Sequence, residues 1–112
     1  MDQGLGNRLF KFAVDTLKFL GTLPGLPEVQ VIRYQLAKSS TSSGANYEEA
    51  QAASTRADFS YKMKISLKEM RESNYWLRIC FHSKYGDPNM NKKLIDESSE
   101  LKKILGSICS KL

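Results

Sequence analysis

Histidine and cysteine are the scarcest chemistry in this chain: one histidine, His82, and two cysteines, Cys80 and Cys109. Carboxylate-bridged di-metal bundles need a Glu-x-x-His motif from each of two helices, and His82 has no glutamate three positions before it, so that site is excluded. Cys80 and His82 are two positions apart. On a helix they point to roughly opposite sides and can neither pair as nucleophile and base nor chelate one zinc ion. No glycine-rich phosphate loop is present, and the acidic clusters Glu48 with Glu49 and Asp96 with Glu97 and Glu100 have no partner base or metal motif, so solvated helical faces explain them. No apolar run approaches membrane-spanning length, and the start, MDQGLGNRLF, lacks the basic region, apolar core and cleavage site of a secretory signal. These absences predict a non-enzyme in the cytoplasm, with no metal, no cofactor and no membrane partner.

The 112 residues, 41% hydrophobic, suffice for one compact core and are too few for two ordinary domains, so residues 1–112 are taken as one domain. Seventeen Lys and Arg against twelve Asp and Glu give +5, which suits polyanionic partners or simply keeps the protein soluble.

Helical periodicity runs through nearly the whole chain. From about Asn7, a plausible cap, to Leu20, the apolar positions Leu9, Phe10, Ala13, Val14, Leu17 and Leu20 recur at helical spacing. Gly21 to Pro27 breaks the chain. Pro27 suits the first turn of a second helix, continued by Val29, Ile32, Leu36 and Ser39. The stretch SSTSSG, Ser39 to Gly44, resembles a linker when isolated, but it lies between an amphipathic run and an alanine-rich segment; the expectation is one long helix, bent or interrupted near Gly44.

A third helix is expected from about Thr55 to Tyr85, burying Phe59, Met63, Ser66, Met70, Leu77, Cys80 and Phe81. Gly86, Asp87 and Pro88 end it. The fourth, from about Asn89, carries Leu94, Ser98, Leu101, Leu105, Ile108 and Leu112 at spacings of four and three. No strand pattern competes. The fold class is all-α, an antiparallel up-down-up-down four-helix bundle. Its two cysteines would then lie roughly 20 Å apart along the bundle at about 1.5 Å per residue, beyond disulfide reach, so both are expected as buried reduced thiols.

Two segments, SSGANYEEA from Ser42 to Ala50 and KMKISLKEMRESNYWL from Lys62 to Leu77, give the chain a family resemblance. In the second, Lys62, Ile65, Lys68, Glu69, Glu72, Trp76 and Leu77 match a Lys-x-x-Ile start, a central Lys-Glu, a following Glu and a Trp-Leu pair. The chain thereby resembles the 23S ribosomal RNA intervening-sequence proteins, from the first helix into the fourth. The resemblance implies a four-helix bundle that assembles as a homopentameric ring, encoded in some members within an insertion of the large ribosomal RNA gene, and it implies no reaction. More distantly the chain is similar to the basic accessory proteins of diversity-generating retroelements, which associate with a reverse transcriptase and nucleic acid.

The third helix carries two candidate surfaces of its own. At about 100° per residue, Lys64, Lys68, Arg71, Tyr75 and Arg78 fall within a sector of roughly 80°, away from the core side. A phosphate backbone laid along this row would relieve cation repulsion and release counterions, and Tyr75 could stack on an unpaired base. The alternative is a solvated face serving solubility. Beside it lie Ile65, Glu69, Glu72 and Trp76, expected either as a seam where another subunit docks or as ordinary packing at the bundle edge. A ring needs two different patches to meet, so Trp76 would face a non-identical surface. Two functions from different classes follow: a nucleic-acid-binding oligomer, or a structural adaptor that holds a protein partner.

Overall fold

Helix ends in this protein are fixed by capping chemistry that can be traced residue by residue. The computed structural model describes residues 3–112, and among them it contains α1 (Gln3–Leu20), α2 (Pro27–Gln51), α3 (Arg56–Ser83) and α4 (Pro88–Cys109). Pro27 and Pro88 stand in the first turns of their helices, where the missing N–H costs nothing. The Thr55 hydroxyl accepts from the Asp58 amide at 3.0 Å and the Asp87 carboxylate from the Met90 amide at 2.9 Å, each satisfying an otherwise orphaned donor. At the end of α3, Lys84 turns left-handed (φ 60°) and the Tyr85 amide reaches back to the Cys80 carbonyl at 2.9 Å. Gly86 follows at φ 84°, and a Cβ there would lie 2.8 Å from the Phe19 ring, so only glycine fits this turn. The Arg33 guanidinium donates to the Leu20 carbonyl and reaches those of Leu23 and Pro24, placing a cation on the negative end of α1.

Each helix packs on its neighbours in the chain, and α4 closes back onto α1. The cross-contacts run in opposite directions along each pair. Ser39 meets Ser73 while Ser43 meets Ser66, and Asn74 meets Ser98 while Cys109 meets Met63. Arg8 likewise meets Glu97 while Thr22 meets Asp87. The result is the antiparallel up-down-up-down bundle expected from the sequence, 44 × 23 × 20 Å.

The core is built on Leu9, Phe12, Phe19, Val29, Leu36, Met63, Met70, Leu77, Leu101 and Leu105. On α1 this corrects the expected apolar side. Phe12, Thr16 and Phe19 point inward with Leu9 and Leu20, whereas Phe10 is 68% and Leu17 47% exposed. Two apolar stripes of similar helical spacing share that helix, and in the one containing Phe10, Val14 and Leu17 the first and last are exposed and Val14 is half-buried. The helix also begins at Gln3, so Asn7 is an interior residue and caps nothing. Phe81, expected inside, is 41% exposed, and Leu112 lies beyond the end of α4.

The serine-rich stretch is neither linker nor break: α2 runs through Gly44 without interruption. It is the seam against α3. Ser43 donates to the Ser66 carbonyl at 2.8 Å and Ser66 to the Ser43 carbonyl at 2.7 Å, a reciprocal pair that uses the single proton of each hydroxyl. Ser39 and Ser73 hydroxyls meet at 2.8 Å, with Ser73 also donating to the Glu69 carbonyl. Side chains this small let two backbones approach until hydroxyls reach across. Gly44 does the same toward α1, where a Cβ would come within 3.3 Å of Leu9.

Candidate nucleic-acid interface

Because α3 is one continuous rod from Arg56 to Ser83, its outward residues keep the register that the helical period assigns them. Lys64, Lys68, Arg71, Tyr75 and Arg78 are all exposed, and among the described residues none of the four cations is in an ion pair. The ion pairs present lie elsewhere. Arg8 grips Glu97 bidentately at 2.7 and 3.0 Å and reaches Glu100 at 2.7 Å, and these hydrogen bonds hold the guanidinium firmly protonated. Lys62 meets Glu49 at 2.7 Å and Lys11 meets Asp15 at 2.7 Å. Glu49, Glu97 and Glu100, expected as solvated acids, are therefore tied to cations of neighbouring helices.

The row on α3 divides. Arg71, Tyr75 and Arg78 line an open groove of about 570 Å³ whose other wall is Lys102, Lys103 and Gly106 of α4. No carboxylate lines it. Lys64 lies along the same junction, near enough with Arg71 to pull on Cys109, whose thiol burial pushes upward. Lys68 is exposed and does not line this groove. Arg78 is held in place: its Nε donates to Asn74 Oδ1 at 2.9 Å, and its guanidinium stands 5.8 Å over the Tyr75 ring. Asn74 is itself buried and anchored by donating to the hydroxyls of Ser98 at 2.9 Å and Ser99 at 3.2 Å. Lys102 and Lys103 were missed by the sequence argument. Counting outward from the turn at Gly86 in both directions places them opposite Arg71, so the signal was the antiparallel register, and Gly106 leaves open space where a side chain would fill the groove.

Ile65, Glu69, Glu72 and Trp76 do share one side of α3, toward α2. Glu69 is only 8% exposed, and burial first and Glu72 second push its carboxyl pKa above the usual glutamate range, against smaller pulls from Lys68 and Lys38. Ile65, Glu72 and Trp76 are half-buried, with the Trp76 indole packed against the core and its ring 5.4 Å from Tyr75. More of the exposed apolar surface lies elsewhere. Phe10, Ala13, Val14 and Leu17 of α1 and Ala45 of α2 line a groove of about 660 Å³, bordered by Glu48 and Glu49.

Burial raises the Cys80 thiol to about 11, and Cys109, expected as buried, is half-buried with its Sγ donating to the Met63 carbonyl at 3.5 Å. Both are free thiols. Among the described residues no group of three or more His, Cys, Asp or Glu is placed to hold a metal ion, and no helix is long and apolar enough to cross a membrane.

The fold has a known counterpart. A crystal structure of a protein with unknown function from the S23 ribosomal protein family of Bacteroides thetaiotaomicron superimposes with a TM-score of 0.83 at 34% identity, covering 93% of this chain and 96% of that one. No curated protein matches. The model of the 23S rRNA-intervening sequence proteins matches residues 5–107. With the helical order, the continuous α3 and a family match over nearly the whole length, the chain belongs to the 23S rRNA-intervening sequence protein family.

Proposed function

We propose that this protein is a non-enzymatic, oligomeric bundle that binds the backbone of nucleic acid through the α3–α4 groove. The observation that carries this is the groove's charge: Arg71, Arg78, Lys102 and Lys103 converge from two helices around an exposed tyrosine, with no carboxylate among them. Unneutralised cations at this spacing repel, and a polyanion removes that repulsion while its counterions are released. Tyr75, 52% exposed, offers a face to an unpaired base. The family's name ties its members to an insertion in ribosomal RNA, which makes RNA the first ligand to try.

The family resemblance makes a homopentamer the expected assembly. The outward apolar stripe of Phe10, Val14 and Leu17 supplies a surface for it, distinct from the Ile65, Glu69, Glu72 and Trp76 side of α3, as a heterologous contact requires. That same stripe favours the second reading, a structural adaptor that holds a protein partner and has no nucleic-acid role.

Light-scattering mass measurement with and without a structured RNA, over a salt series, tests both parts together. The proposal expects a particle of several subunits that gains mass with RNA at low salt and loses it as salt rises. No added mass even at low salt refutes the nucleic-acid function and leaves the adaptor; a monomer refutes the oligomer.

A further inference from the structure

The basic groove has a neighbour of different chemistry. A smaller open hollow, of about 250 Å³, follows the last turns of α3 and is lined by Tyr75, Arg78, Ile79, His82 and Ser83, with no residue of α4. Tyr75 and Arg78 line both, so the groove and the hollow run into each other. Their makeup differs. Where the groove gathers four cations from two helices, the hollow sets Ile79 between the exposed rings of Tyr75 and His82, with Arg78 as its one lysine or arginine and again no carboxylate. Two of these side chains are held by neighbours. Asn74 Oδ1 takes the Arg78 Nε at 2.9 Å, which leaves the terminal guanidinium nitrogens for a ligand, and Phe81 meets the His82 imidazole edge to face at a centroid distance of 5.8 Å.

The geometry points to an unpaired strand as the ligand, with its phosphates in the α3–α4 groove and its bases turned past Arg78 into the hollow between Tyr75 and His82. This rests on the backbone reading of the groove and adds to it the class of strand and a place for the bases. Tyr75 and His82 are seven positions apart, two helical turns, which is about 10 Å at 1.5 Å per residue. Flat rings in contact stack at about 3.5 Å, so the interval takes one base or two and no longer run. Ile79 is the apolar floor beneath them. Stacking uses the faces of the bases, which every base has, so the hollow accepts a base without choosing among them. A duplex cannot use it, because each face in a duplex is covered by the next base pair. Charge alone would favour the duplex, whose phosphates are denser along its axis; a hollow that rewards free faces reverses that order. An apolar side chain of a protein partner would cover Ile79 and leave Arg71, Arg78, Lys102 and Lys103 unneutralised. A strand meets both demands with one repeating unit, a phosphate and a base.

Fluorescence anisotropy on the full chain with short labelled RNA and DNA strands, their matching duplexes, and an abasic strand with the same number of phosphates tests the assignment. The base-bearing strands are expected to bind about tenfold more tightly than the abasic one, and more tightly than the duplexes. Whichever of RNA and DNA gains more over its own duplex is the source of the ligand. His82→Ala alters an exposed side chain and is expected to fold as the parent, to lose most of the gain from the bases and to keep the salt dependence. His82→Phe retains a ring without a charge and should restore the gain. Abasic and base-bearing strands bound alike, a duplex bound as tightly as its strands, or a gain that survives His82→Ala would each overturn the inference and leave the groove standing. A His82→Phe protein no better than His82→Ala, with the salt slope smaller by about 0.7 in both, would make His82 a phosphate contact and overturn it as well. Absence of binding by every strand and duplex removes the groove and the hollow together.

Discussion

Replacing Asn74 by alanine links the stability of the bundle to the shape of its basic groove. The amide joins α3 to α4 by donating to the hydroxyls of Ser98 at 2.9 Å and Ser99 at 3.2 Å, and its oxygen receives the Arg78 Nε at 2.9 Å. Ser98 also donates to the Ile95 carbonyl at 3.1 Å, so truncating Asn74 orphans no buried hydroxyl proton. The loss is then two neutral hydrogen bonds at about 1 kcal/mol each, about 2 kcal/mol in all, with the exposed Arg78 adding little. For a domain whose urea dependence is about 2 kcal/mol per molar, the unfolding midpoint should fall by about 1 M. Arg78 would meanwhile lose its anchor and keep only Tyr75, so affinity for a short single strand should also fall. Equilibrium urea unfolding followed by circular dichroism reads the first effect, and fluorescence anisotropy of a labelled oligonucleotide the second. A stability loss under about 0.5 kcal/mol would show that the amide does not join the helices as described.

Gly106→Ala meets nothing within 4 Å and removes a flexible residue from α4, so thermal unfolding should show a gain of about 1 kcal/mol. Glu69 has its folded pKa raised by burial, so its favourable contribution is fully present below the ordinary glutamate value and is lost as pH rises through the higher folded value. Glu69→Gln should therefore be more stable than the parent at neutral pH, with the gap closing on acidification, as urea unfolding at pH 4 and pH 7 would show. Cys80, buried and raised to about 11, should resist a thiol reagent at pH 8 in the folded protein, while the half-buried Cys109 is labelled first; mass spectrometry of the labelled peptides checks the order.

Helix number, order and the long α3 were legible because each rests on local signals: prolines at helix starts, the Tyr85–Asp87 turn, and apolar spacing in α3 and α4. The face of α1 was not, since Phe10, Val14 and Leu17 make as good a stripe as Leu9, Phe12 and Phe19, and only the neighbours decide which is buried. The serine stretch was half legible. Its small side chains pointed to close helix contact, but the reciprocal bonds between Ser43 and Ser66 depend on a partner 23 positions away. The cationic row was visible on α3 alone, whereas the groove also needs Lys102 and Lys103 from α4, which the row's periodicity could not supply.

The salt dependence of oligonucleotide affinity tests the groove most directly. A short single strand engaging Arg71, Arg78, Lys102 and Lys103 should give a slope of log affinity against log salt of about −2.8, at about 0.7 per phosphate contact. In the triple variant Arg71→Gln, Lys102→Gln, Lys103→Gln the slope should shrink to about −0.7. An unchanged slope in the variant, or no binding by the parent at low salt, would contradict the account.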